Sequence, residues 1–66
     1  MKANYNHEED VLTVVFNNAL VQESDEVRPG VIIDYDGAGN VVGLEILDAS
    51  HRVENPTAMD FFVQAA

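Results

Sequence analysis

Cysteine is absent from the chain, which removes a disulfide framework and any thiolate metal centre and leaves packing and association as the sources of stability. Basic side chains are nearly absent too. Lys2, Arg28 and Arg52 stand against twelve carboxylates, for a net charge of −9. The negative charge is spread along the whole length, so direct binding to nucleic acid or to an anionic membrane is disfavoured, whereas a basic protein or a cation is attracted. No apolar run approaches the roughly 20 residues of a membrane span. Met1 to Asn4, followed by acidic residues, does not form a secretory signal. These absences describe a soluble, cytoplasmic protein.

What is present is β-rich. Val31 to Leu47 holds two runs of β-branched and aromatic residues separated by Gly37, Ala38, Gly39 and Asn40, the composition of a hairpin with a tight connection. With those four residues as the loop, Tyr35 faces Val42, Ile33 faces Leu44 and Val31 faces Ile46, all on one apolar face. Asp34 then faces Gly43 and Ile32 faces Glu45 on the other. A slip of one residue would set apolar against acidic positions, which fixes the register. The second face is only half polar, because Ile32, Val41 and Leu47 share it with Asp34, Asp36 and Glu45.

A first strand is expected over residues 2–5 and a second over 11–16, where Leu12, Val14 and Phe16 alternate with Val11, Thr13 and Val15. Residues 19–22 offer an edge strand, and the acidic segment Glu23 to Glu26 would blunt an exposed edge. Arg28-Pro29-Gly30-Val31 has the residues of a type II turn, read as a corner because that turn fits the twist of a two-residue hairpin poorly. After the strands 31–36 and 41–47, Asp48 is placed to cap a helical turn over 49–53. Asn55-Pro56 is a stronger helix start, with a helix over 56–65 whose stripe is Met59, Phe62, Val63 and Ala66.

The fold class expected from these elements is α+β: an antiparallel meander of three or four strands with the C-terminal helix packed on one face, in a single domain spanning residues 1–66. A chain this short buries only about 60% of the surface its unfolded form exposes. The apolar residues left over, Val15, Ile32, Val41 and Leu47 on the sheet and Met59, Phe61 and Phe62 in the tail, are therefore assigned to an interface, and the chain to a homo-oligomer, most simply a dimer.

Three stretches carry a family pattern: Asp10-Val11-Leu12, then Glu26 through Pro29-Gly30-Val31 to Asp34-Tyr35-Asp36, then Val41 through Gly43-Leu44-Glu45-Ile46-Leu47 to Asp48-Ala49-Ser50. Together they resemble the bacterial family catalogued as domain of unknown function 2283. The resemblance implies a fold and almost no function. It also implies an association with small toxin–antitoxin-like gene pairs, in which this chain would be the acidic member. His51 stands where the family usually has a basic residue, and the tail from Pro56 lies outside the shared pattern.

Candidate chemistry is sparse. Taking Asp34 as the first position of a calcium loop places Asp36, Gly39, Val41 and Glu45 at matching positions, but Ala38 supplies no oxygen and the flanks are strands where helices are required. Asp48, Ser50 and His51 are the three residue types of a hydrolase triad, yet they lie within four consecutive residues, whereas a triad converges from separate elements. His7 beside Glu8, Glu9 and Asp10 has the composition of a hard metal site and the setting of a solvated turn. The reading that follows is a non-catalytic interaction module with no cofactor, antitoxin-like towards a basic partner. The alternative is an enzyme or metal site assembled at an oligomer interface from Asp34, Asp36, Glu45 and His7 or His51.

Overall fold

The computed structural model describes residues 1–65 and contains five strands, β1 (Lys2–Asn6), β2 (Val11–Val15), β3 (Glu23–Arg28), β4 (Val31–Tyr35) and β5 (Val41–Leu47), followed by one 3-10 turn at Ala49–His51. All neighbours pair antiparallel in a single sheet of order β1-β2-β5-β4-β3. The α+β meander is thereby corrected. The sheet has five strands, and residues 16–22 carry the chain from β2 to the far edge, so that β5 returns to the middle between β4 and β2.

Register follows the apolar pattern. Val31 faces Ile46, Ile32 faces Glu45, Ile33 faces Leu44 and Asp34 faces Gly43, as the hairpin pattern requires. The ladder shifts only at the loop end, where Tyr35 faces Val41 and leaves Val42 as the extra residue of a bulge. Leu12 and Val14 of β2 continue the row onto Ile46 and Leu44, and Tyr5 and Ala3 of β1 extend it. One face, here the apolar face, therefore carries Tyr5, Leu12, Val14, Leu44, Ile46 and Ile33 across four strands. The opposite, mixed face carries Val11, Thr13, Val15, Glu45, Leu47, Ile32 and Asp34.

Strand β3 begins four residues later than expected: residues 19–22 are irregular, and the acidic segment itself pairs with β4. An edge strand exposes one side to water, so Glu23, Ser24, Asp25 and Glu26 can stay solvated while their backbone joins the ladder. Pro29-Gly30 is a hairpin turn rather than a corner, since Arg28 faces Val31 directly across it. Gly30 has φ +79°, as the third position of a type II turn requires, and the register shift between Glu26 and Arg28 adds the local twist that this turn lacks.

The C-terminal helix does not form. Asn55 makes its expected start, accepting from the Thr57 N–H at 3.0 Å and the Thr57 hydroxyl at 2.7 Å, but the chain then runs irregularly. An isolated helix of about ten residues is marginal, and Phe61, Phe62 and Val63 are weak helix formers with nothing packed against them. Met59, Phe61, Phe62 and Val63 are between 62% and 86% exposed. Ala66, the last residue of the expected stripe, lies outside the described residues. The helical turn expected over 49–53 is the shorter 3-10 turn, and Asp48 does not cap it: its φ is +52° and its side chain makes no cap hydrogen bond.

Without a helix the sheet is a single layer. Val42 and Ala49 are the only buried apolar side chains among the described residues. The accessible surface is 5209 Å², whereas a compact monomer of this mass exposes roughly 4,100 Å². The radius of gyration is 12.9 Å, against about 11 Å for a compact chain of this length. Among the described residues no helix is long and apolar enough to cross a membrane.

β2 and β5 approach closely at Gly43, where an added Cβ would sit 2.6 Å from the Val14 carbonyl oxygen. That neighbour is backbone and cannot swing aside. Gly43→Ala is expected to destabilise the fold by roughly 1–3 kcal/mol, a fall of at least about 4 °C in melting temperature by circular dichroism. An unchanged melting temperature would show that the two strands separate there at no cost.

Candidate functional site

Two polar centres sit at opposite ends of the sheet. The first is at the β1–β2 turn, where Asp10 adopts φ +56°, a left-handed conformation that aspartate tolerates better than most residues. Its carboxylate is fully engaged: Oδ1 accepts from the Tyr5 hydroxyl at 2.6 Å and the Ser50 N–H at 2.9 Å, and Oδ2 accepts from the Ser50 hydroxyl at 2.6 Å. The Asp10 carbonyl also accepts from the Ala49 N–H at 3.0 Å. Asp10, forty residues distant from Ser50 in sequence, thus supplies the cap expected from Asp48. It ties the first hairpin to the segment that follows β5.

Hydrogen bonds from the Ser50 hydroxyl and the Tyr5 hydroxyl, then the Ser50 amide, hold the Asp10 carboxyl below the usual carboxylate range, with a smaller contribution from the charge of His51. The same bond to Asp10 pushes the Tyr5 hydroxyl up. A carboxylate whose proton affinity is lowered is a poor general base. Ser50 donates to it rather than to His51, so the triad types at residues 48–51 do not form a nucleophile–base pair. The ring of His7 meets the edge of Tyr5, with centroids 4.8 Å apart.

The second centre is the β4–β5 loop. Asp36 Oδ1 accepts from the backbone N–H groups of Asn40 and Ala38, each at 2.9 Å, and Oδ2 from the Asn40 side-chain amide at 3.4 Å. The bond from the Asn40 backbone N–H is foremost in holding the Asp36 carboxyl below its usual range. Asp36 is thus committed to its own loop. Asp34 accepts from the Ser24 hydroxyl at 2.6 Å, and Glu45 lies across from Thr13 and Ile32 on the mixed face. The calcium-loop geometry is absent. Asp34 and Glu45 share a face, but Asp36 sits in the loop at one end of the sheet while His7 and His51 lie at the other, beyond Asn6 and Leu47. Among the described residues no three His, Asp or Glu side chains converge as a metal site.

The residues assigned to an interface divide into two groups. Val15, Ile32 and Leu47 are half-buried on the mixed face, and Val41 is exposed at the start of β5. Met59, Phe61 and Phe62 project from the irregular tail. An open cleft of about 920 Å³ separates that tail, from Val53 to Asp60, from Ala3, Tyr5 and Leu12. Sequence reasoning missed the Tyr5–Asp10–Ser50 link. The sole local signal was an aspartate ending a turn before a strand, and nothing local names its partner.

The Asp10 link has a pH signature. Its carboxyl titrates lower in the folded state than the unfolded value of about 3.9, so its stabilisation is fully present above that pH and is lost as pH falls through the folded value. Asp10→Asn should melt lower than wild type at pH 7 and show a flatter loss of melting temperature on acidification. Tyr5 has the opposite sign: its contribution is present below about pH 10 and lost as pH rises through its raised folded value, so Tyr5→Phe should flatten the alkaline limb. Parallel pH–melting curves for wild type and variants would refute the assignment.

No curated protein and no solved structure matches the chain. The pattern of one family matches residues 2–50, which takes in all five strands and the Asp10–Ser50 link but not the exposed tail. The chain therefore belongs to the family described as protein of unknown function DUF2283.

Proposed function

We propose that the protein is a non-catalytic interaction module that self-associates and engages a basic protein in the cytoplasm, as an antitoxin-like role would require. The observation that carries this reading is the mixed face, where Asp34 and Glu45 stand among Val15, Ile32 and Leu47 on an uncovered sheet. A surface combining carboxylates with β-branched and aliphatic side chains suits a partner that presents basic residues around an apolar strip. The net charge of −9 speeds encounter with such a partner, while apolar burial sets how long the complex lasts.

The tail adds a second contact. Met59, Phe61, Phe62 and Val63 expose most of their surface and complete no core of their own sheet. Deleting Pro56 to Ala66 should leave the sheet folded by circular dichroism and weaken partner capture. Each large apolar side chain buried in a complex contributes roughly 1.5 to 3 kcal/mol, so losing two would weaken binding about a hundredfold or more. Capture from the native host at increasing salt, with full-length and truncated protein, checks both parts. Equal capture by the folded truncation would remove the tail from the interface, and capture insensitive to salt would remove the charge.

A further inference from the structure

The apolar face is a different surface from the mixed face; the tail from Val53 to Asp60 stands across the open cleft from its β1 side, at Ala3, Tyr5 and Leu12, but does not reach Val14, Leu44, Ile46 or Ile33. Leu12, Val14, Leu44, Ile46 and Ile33 occupy its three central strands without an intervening charge. The carboxylates on this side, Glu23 and Asp25, belong to the outermost strand β3. We infer that this face packs against the same face of a second copy, giving a two-layer homodimer in which Leu44 lies beside its own symmetry mate. The inference rests on the self-association proposed above and specifies which surface performs it.

Area, charge and position agree. The chain exposes roughly 1,100 Å² more than a compact monomer of its mass, an excess shared between the sheet faces and the exposed tail, and a standard stable interface buries about 800 Å² on each partner. One sheet face stacked on another converts a single layer into the sandwich arrangement in which antiparallel sheets bury their apolar sides, about 10 Å apart. Leu44 is central in both directions, at the middle of β5, itself the middle strand of the five. A twofold axis through the centre of the apolar face therefore brings Leu44 to Leu44 whether it runs along or across the strands. Stacking the mixed faces in the same way would bring Glu45 to Glu45, a like-charge contact between two partly desolvated carboxylates. The axis along the strands also sets β3 of one copy over β1 of the other. That arrangement keeps the two acidic edge strands apart and makes it the preferred one.

Because the chain has no cysteine, single cysteines report position directly. Leu44→Cys and Val14→Cys mark the apolar face, and Glu45→Cys and Thr13→Cys mark the mixed face on the same two strands. Each full-length variant, checked for fold by circular dichroism, is treated at micromolar concentration with a bis-maleimide spanning about 10 Å, the spacing of packed sheets. Sedimentation then gives the mass of the untreated protein. The expected result is a dimer mass with efficient cross-linking from position 44, weaker cross-linking from 14 and little from 45 or 13. A dimer that cross-links through 45 or 13 instead would overturn the face assignment and leave self-association standing. A monomer mass of 7.2 kDa for the wild type would overturn both. Raising salt from about 0.01 to 0.15 M shortens the screening length from about 30 to 8 Å and should tighten this dimer, since two chains of charge −9 repel one another. A dimer weakened by that salt would be held by charge rather than by the apolar face.

Discussion

The structure depends on the seam between β2 and β5. Two locally connected units, the β1–β2 hairpin and the β3–β4–β5 run, meet only there within the sheet. The five paired positions from Val11–Leu47 to Val15–Gly43 join segments about thirty residues apart in sequence. The seam is extended at one end by the Phe16 N–H donating to the Val42 carbonyl at 2.7 Å, and at the other by the Ala49 N–H donating to Asp10. Gly43 allows the close approach in its interior. Each unit is formed by short-range turns, but the continuous apolar face exists only once the seam closes.

Where the sequence was informative, the reason was periodicity. Val31, Ile33, Leu44 and Ile46 admit one register against the acidic positions between them, and that register is observed. Where it misled, a local signal was read without its tertiary context. Asn55-Pro56 does begin a turn, but propagation of a short helix needs a surface to pack on, and none is supplied. The polarity of Glu23 to Glu26 disguised a strand, because at an edge the ladder needs only one neighbour and the side chains keep their water. Asp10 and Ser50 could not be paired by any local rule, since what brings them together is the seam itself. In place of a single candidate site, the structure separates an engaged carboxylate at each end of the sheet from the two sheet faces between them.

Charge and apolar surface are arranged so that they do not compete at the centre of the apolar face. Carboxylates occupy the mixed face, the loops and strand β3, leaving β2, β5 and the middle of β4 apolar on the other side. Burial of that face is opposed by net charge at long range and favoured at contact. The balance between the two is therefore adjustable by ionic strength or by a basic partner that neutralises the periphery.

The two outer strands determine how far any assembly of these sheets extends. β1, Lys2-Ala3-Asn4-Tyr5-Asn6, and β3, Glu23-Ser24-Asp25-Glu26-Val27-Arg28, carry the unpaired backbone edges, and both sequences are dominated by charged or amide side chains. Pairing β3 with the β3 of another molecule would align carboxylates with carboxylates, so edge-to-edge addition through that strand meets repulsion. A chain that leaves apolar sheet surface exposed would otherwise be a strong candidate for fibril growth. With the β3 edge guarded, any association of these sheets is directed to their faces rather than to that edge, which favours a closed particle over a fibre.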